Sequence, residues 1–337
     1  MMIVYTVIIL CILIFVHELG HFTAAKLSGV KVNEFALGMG PAFFKKQWGE
    51  TKYALRVFPI GGYCAMEGED GTSEDLKSFE KKPARIRAVI LAAGSLMNVL
   101  LAILILSGII LYSGTSLTTV IKDVGAGSPA QMAGLLPGDR ITAIDGVEIK
   151  QWEDIVKQIS GAQSDRLAIT VLRDGRELAI ESGVTKADDG RTIIGVGPEV
   201  KRNPFTALAM GTKASCGMLK NMAGIIGELF TGGVPATELT GPVGIAYMVD
   251  DTAKAGVRPL LYLVSLISLN LAIVNMLPIP ALDGGRLLFL VIRKATGKAI
   301  SDGVEAKIHM IGMALLLALM VFVTWNDIER LIQGTFQ

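Results

Sequence analysis

The sequence is poor in charge, in histidine and in cysteine, and each shortage excludes something. Only 19% of its 337 residues are Asp, Glu, Lys or Arg, while 51% are hydrophobic. A soluble enzyme carries nearer a quarter charged residues, so that class is excluded. The formal charge is +1, from 32 basic and 31 acidic residues with no basic domain, which leaves no basis for a nucleic-acid partner. Cys11, Cys64 and Cys216 fall in three separate regions with no C-x-x-C, so neither a disulfide framework nor a cysteine metal site is expected. Internal repeats and low-complexity segments are missing too.

What is present comes in blocks. A spanning helix needs about 20 mainly apolar residues. Four stretches lack Asp, Glu, Lys and Arg: 1–16, which runs on past two histidines and one glutamate to residue 25, then 88–121, 259–282 and 308–326. The expected fold is a polytopic α-helical membrane protein with four transmembrane helices. The first stretch has no basic n-region and no small-residue cleavage site, so it is read as a retained span. The organisation expected is a first helix 1–27, a cytoplasmic loop 28–87, a second helix 88–114, a soluble α+β domain 115–200 and a linker 201–258. A third membrane segment 259–285, a cytoplasmic loop 286–307, a fourth helix 308–326 and a tail 327–337 follow. Eleven basic residues lie between 26 and 87, and Arg286, Arg293, Lys294, Lys298 and Lys307 follow the third span. The positive-inside rule puts both loops in the cytoplasm, so the N-terminus, region 122–258 and the C-terminus face outward.

The first loop holds two apolar, partly alternating segments, 35–41 and 53–63, separated by a polar stretch at 45–52. This pattern suggests a β-hairpin with glycine-broken ends. It is too apolar for a cytosolic linker and is expected to lie in or against the bilayer. Residues 67–82 read as a solvated helix or loop. Outside, strands are expected at 118–124, 140–144, 167–173, 177–184 and 192–196, with a helix at 152–159 and turns at Asp145-Gly146 and Asp174-Gly175. A helix over 204–230 fits two readings, one lying along the outer interface and one packed on the spans.

Two of only three histidines sit in His17-Glu18-Leu19-Gly20-His21, at the end of the first apolar block. Positions i and i+4 share a helix face, so both imidazoles can reach one metal ion and the glutamate can reach a water held there. Charged and imidazole side chains in a span are costly, which makes them a functional-site hypothesis by default. At about 1.5 Å per residue His17 lies roughly 22 Å along its helix, in the cytosolic half of a core about 30 Å thick. A zinc site needs a third protein ligand. Asp283 in Asn275-Met-Leu-Pro-Ile-Pro-Ala-Leu-Asp-Gly-Gly285 is preferred over His309, because its span runs inward to the same side. Pro278 and Pro280 break that span and free backbone groups that only protein or a wet cavity can satisfy.

These two motifs, in this order and orientation, resemble the site-2 protease family of intramembrane zinc metalloproteases, of the bacterial RseP type. Gly94-Ser-Leu-Met-Asn98, 35–41, 59–63 and Gly241-Pro-Val-Gly-Ile245 are similar to further motifs of that family. The resemblance implies that His17, His21 and Asp283 bind Zn2+, that Glu18 is the general base and that Asn275 holds the substrate backbone. For Asn98, a role at the substrate and a helix–helix hydrogen bond weigh equally. Tyr53, Ala54, Leu55, Arg56 and Val57 are expected to hold an unwound substrate as an added strand. The implied activity is intramembrane proteolysis of single-span substrates, such as anti-sigma factors or remnant signal peptides, in a bacterial cytoplasmic membrane.

The segment 127–147 resembles a bacterial-protease PDZ domain, circularly permuted, so Ile193, Ile194, Gly195 and Val196 are the expected peptide-binding strand. This domain either takes a peptide or excludes bulky ectodomains by size. A silent membrane adaptor would need no metal triad. A divalent-metal transporter would need polar residues continuing outward, and the sequence has none.

Overall fold

The structure, a computed structural model, describes all residues except 1, 70, 72, 163, 188, 234–239, 297–301 and 334–337. Lys298, one of the cations of the expected second cytoplasmic loop, and the end of the 327–337 tail lie outside the described residues. In chain order the chain forms α1 (Met2–Leu27), β1 (Val32–Trp48), β2 (Thr51–Met66), α2 (Ala84–Ser113), β3 (Ser116–Val124) and α3 (Pro129–Met132). Next come β4 (Arg140–Ile144), β5 (Val147–Glu148), α4 (Trp152–Ser160), β6 (Arg166–Arg173), β7 (Arg176–Gly183), β8 (Thr185–Lys186), β9 (Thr192–Ile193) and β10 (Val196–Lys201). The chain ends with α5 (Pro204–Thr231), α6 (Pro242–Ala255), α7 (Val257–Met276), α8 (Asp283–Thr296) and α9 (Asp302–Gln333).

Among the described residues four helical stretches are long and apolar enough to cross a membrane: Ile3–Leu27, Ala84–Ser113, Val257–Met276 and Gly303–Gln333. They are the four expected spans, and α2 and α9 outrun their uncharged cores. Arg85, Arg87 and Lys307 can stay helical because long cationic side chains reach from a helix end toward the headgroups. Two compact units result, one made of 1–109 and 211–337, the other of 110–210.

In the first unit, small residues let helices touch. A Cβ on Gly20 would lie 2.3 Å from the Ala93 carbonyl oxygen, so α1 and α2 meet backbone to backbone. On α7, Ser268 is fully buried and its hydroxyl donates to the Asn98 carbonyl at 2.8 Å. Between lipid-embedded helices, close packing and such hydrogen bonds replace the hydrophobic force that assembles soluble cores. The expected break after α7 is present, and α8 begins at Asp283 itself.

The loop expected at 286–307 is mostly helical, because α8 reaches Thr296 and α9 starts at Asp302. The five cations there suggested a loop. Phe289 and Leu290 are buried, and Arg286 pairs with Glu69 while Arg293 pairs with Glu305, so an amphipathic α8 accommodates Arg286, Arg293 and Lys294.

At the other end of α9, Asp327 is fully buried and accepts from the N–H groups of Gly241 at 3.1 Å and Gly244 at 2.8 Å. A helix start has orphan donors and the positive end of the helix dipole, so this carboxylate caps α6. That explains the Gly241–Ile245 motif locally. Asp327→Ala leaves two buried donors unpaired and is expected to cost about 2–4 kcal/mol, with Asp327→Asn losing less. Thermal unfolding of the full chain in detergent reads the difference.

The hairpin is more folded than expected. Residues 34–37 of β1 pair with 62–65 on one side and with 52–55 on the other, while 42–48 pair with 51–56. Each strand is thus bent into two runs, at the positive-φ Gly38, Gly40 and Gly61. Glu34 ties the runs through Lys52 at 2.9 Å and Arg56 at 2.6 Å. Burial alone would raise the Glu34 pKa, but these cations win and hold the carboxyl at about 2. Residues 67–69 and the described part of 71–82 form turns with no helix.

The second unit carries a sheet in the order β10-β3-β4-β6-β7, with β5 off β4. Strand alternation placed these elements to within about two residues, apart from 192–196, which splits into β9 and the start of β10. Ile121, Ile141, Ile144, Trp152, Ile155, Ile169, Val171 and Ile194 fill its core. Arg173 clasps the buried Asp139 with bonds of 2.6 and 2.7 Å. Burial alone would raise the Asp139 pKa, but the guanidinium and the Leu136 N–H hold it below the ordinary range.

Candidate metal centre and active site

Helical spacing brings His17 and His21 to one face of α1, and both rings are buried. Their Nε2 atoms are 3.2 Å apart. Asp283, delivered by the first residue of α8, puts Oδ2 3.1 Å from His17 Nε2 and 3.2 Å from His21 Nε2. Among the described residues this is the one group of three or more His, Cys, Asp or Glu side chains able to share an ion. Three donors so spaced are what a tetrahedral zinc with bonds of about 2.0–2.1 Å would hold on one face. Asp283 Oδ2 is buried and accepts no hydrogen bond. A buried carboxylate oxygen without a donor is costly unless a cation takes it, so the donor set fits zinc.

The outer partners agree. His21 Nδ1 lies 2.8 Å from the Ile90 carbonyl oxygen, to which it donates, so its Nε2 lone pair faces Asp283. His17 Nδ1 lies 3.4 Å from the Asn98 amide nitrogen, and Asn98 Oδ1 is buried with no partner. Exchanging the two atoms of that amide cures both faults: Oδ1 then accepts from His17 Nδ1–H, and His17 Nε2 is free to bind metal. Asn98 is 0% exposed and lies behind the His17 ring. Of the two readings open for Asn98, this geometry favours a structural bond, made to the histidine.

Glu18 stands beside the triad. Its carboxylate accepts from the backbone N–H of Cys64, and a Cβ on Gly62 would lie 3.2 Å from its Cγ. The end of β2 therefore abuts the carboxylate. Burial, reinforced by the Glu18 charge, pushes the neighbouring Cys64 thiol up to about 12, so it does not compete as a thiolate ligand. Asn275 Nδ2 lies 3.3 Å from His17 Nε2. A cleft lined by Ile14, His17, Glu18, Leu271, Asn275 and Asp283 opens onto these groups.

The expected free edge at 53–57 is a correction. Tyr53, Ala54 and Leu55 pair with Phe35, Ala36 and Leu37 on one side and with Lys46, Lys45 and Phe44 on the other. Arg56 pairs with Ala42 and donates to the Gly40 carbonyl at 2.6 Å. Val57 is exposed. The run beside Glu18 is Gly62–Cys64, whose ladder is one-sided among the described residues. A plain hairpin would have left 53–57 at an edge, and the extra fold at Gly38 and Gly40 covers it.

Gly94 matters in a way its motif does not reveal. A Cβ there would lie 2.4 Å from His21 Nε2 and 2.8 Å from His17 Nε2. The two glycines after Asp283 act similarly, since a Cβ on Gly284 would lie 2.3 Å from the Met276 carbonyl oxygen. Helix and loop thus approach each other where side chains would forbid it. In the second unit, Ile193, Ile194, Gly195 and Val196 line a groove together with Trp152, Ile155, Val156 and Ile159 of α4.

Known proteins resemble this chain along nearly its whole length. The zinc metalloprotease RasP of Shouchella clausii is 30% identical, over 96% of this chain and 97% of that one. The regulator of sigma-W protease RasP of Bacillus subtilis is 31% identical, over 96% and 97%. A putative zinc metalloprotease of Fusobacterium nucleatum is 35% identical, over 96% and 98%. Among solved structures, the PDZ domain of an SdrC-like protein from Listeria monocytogenes is 23% identical, covering 23% of this chain and 84% of its own, with a TM-score of 0.22. The model of peptidase family M50 matches residues 5–319. The chain therefore belongs to peptidase family M50, the site-2 protease family, and is a membrane-embedded zinc metalloendopeptidase.

Proposed function

We propose that this enzyme cuts peptide bonds inside the transmembrane segments of single-span proteins, with His17, His21 and Asp283 as zinc ligands and Glu18 as general base. The observation that carries the reading is the ligand triangle of 3.1–3.2 Å sides, set beside Glu18 between helices long enough to span a bilayer. Bound zinc supplies Lewis-acid polarisation and acidifies a water. With zinc held by these residues, the Glu18 carboxylate would take a proton from the attacking water and give it to the leaving amine as the C–N bond breaks. Cys64 N–H, by donating to the same carboxylate, holds it in place during this transfer. Asn275 Nδ2 donates to the substrate backbone from the open side of the cleft.

A peptide bond in a helix is shielded by its own hydrogen bonds, so the substrate must be extended. The one-sided run Gly62–Cys64 offers a strand partner within reach of Glu18, in place of the paired 53–57. The groove at 193–196 is a PDZ-like site for a peptide end. Anti-sigma factors are the favoured substrate class, supported by the sigma-W regulator among the relatives; remnant signal peptides share the single-span chemistry. The proposed orientation follows the cationic loops, with the metal centre toward the cytosol and unit 110–210 outward.

Metal removal tests the reading. Full-length enzyme dialysed against a strong chelator is expected to stop cutting a single-span substrate in proteoliposomes, and one equivalent of zinc should restore it. Cleavage that persists in the metal-free protein would remove the basis of the proposal. Asn98→Ala is expected to weaken zinc affinity about 10- to 100-fold, as loss of a partner behind a ligating histidine does. Asn98→Asp, which keeps an acceptor for His17 Nδ1–H, should retain most of it. Chelator competition on the purified protein measures both.

A further inference from the structure

His309 lies outside the ligand triangle, yet it touches the loop that delivers the third ligand. In the break between α7 and α8, Leu277, Ile279 and Leu282 donate their N–H groups to the backbone carbonyls of Val274, Leu277 and Ile279. Ala281 differs, because its N–H donates to His309 Nδ1 on α9 at 2.8 Å. Ala281 also has φ of +80°, a left-handed conformation that an alanine adopts only under constraint. It is two residues before Asp283.

α9 grips the same loop again one turn later. A Cβ on Gly312 would lie 2.5 Å from the Pro280 carbonyl oxygen, so helix and loop are in direct contact there. The Phe289 ring of α8 packs 5.4 Å from the imidazole and keeps it oriented. With Nδ1 as acceptor, the proton sits on Nε2, which lies 3.9 Å from Glu305 Oε1. A neutral histidine in a defined tautomer thus bridges α9 to the backbone of the ligand loop.

We propose that His309 is a positioning residue that sets the zinc ligand Asp283 by holding Ala281 in its left-handed conformation. The geometry gives a reason for a histidine at the head of the fourth span, outside the ligand triangle. The inference rests on the reading of Asp283 as a ligand. It makes α9 part of the metal centre without contributing a ligand, and it couples the fit of the fourth span to zinc affinity.

The test is a double-mutant cycle on zinc affinity, measured by chelator competition with the full-length protein in detergent. His309→Ala is expected to lower affinity at least tenfold, in line with losses behind metal ligands. In the Ala281→Gly background the same change should cost less than about threefold, because glycine holds φ near +80° without help. His309→Gln, which keeps an acceptor, should stay within about threefold of the parent. Equal losses with and without Ala281→Gly would overturn the proposal, as would an unchanged affinity in His309→Ala. If His309→Ala cannot be recovered folded, His309→Gln decides: parental affinity supports the strut and a tenfold loss refutes it. A parent that binds no zinc would instead sink the ligand assignment itself.

Discussion

Glu18→Gln should leave one zinc per chain in place while slowing cleavage about 10²- to 10⁴-fold, the usual contribution of a positioned general base. Glutamine matches the size of glutamate and can still accept from Cys64 N–H, so the packing of β2 on α1 survives. It cannot take a proton. The ligand triangle does not include Glu18, so zinc content should match the parent. Removing a charge from a partly buried carboxylate also lowers a desolvation cost, which argues against unfolding as the cause of inactivity. Zinc analysis and single-turnover cleavage on the same sample separate the outcomes. A variant that cuts at the parental rate would end the general-base assignment, and a variant that has lost zinc would place Glu18 among the ligands.

Gly94→Ala should abolish zinc binding, by at least 100-fold in affinity, and cleavage with it. Intrinsic helix propensity points the other way, since alanine is favoured over glycine by about 1 kcal/mol in a helix interior. The clash decides. The new Cβ would stand 2.4 Å from His21 Nε2 and 2.7 Å from His17 Cε1, inside any tolerated contact. Neither ring has an easy retreat. His21 is tied to the Ile90 carbonyl at 2.8 Å, and Asn98 backs His17. Nor can the helices separate cheaply, because Gly20 and Ala93 already touch and the lost packing would have to be regained from lipid. Full-length protein that remains monodisperse in detergent but holds no zinc is the expected result. Zinc affinity within a few-fold of the parent would mean that α1 and α2 are free to slide, contrary to the contacts seen here.

The parts of the site that depend on local periodicity were legible in the sequence. His17 and His21 fall on one face because helix spacing dictates it, and the two prolines announce the break before Asp283. Long-range relations were not. Gly94 is a small residue in an apolar run of many, and only the approach of α1 shows what its missing side chain makes room for. His309 opens an apolar stretch and reads only as a less favoured third ligand until it is seen to accept from Ala281 N–H. The substrate-edge expectation failed for a similar reason. Alternation over 35–63 fixes that there are strands, but which runs lie at the edge depends on bends at Gly38, Gly40 and Gly61.

The order of the two units along the chain has a consequence for the enzyme's birth. His17 and His21 belong to a unit interrupted by residues 110–210, and Asp283 lies beyond the interruption. At about 5–20 residues per second, a ribosome needs roughly 13 to 50 s to travel from the second histidine to the aspartate. Throughout that interval the nascent chain carries two of the three proposed ligands and lacks Asp283. Unit 110–210 is therefore fully synthesised before His17, His21 and Asp283 can come together.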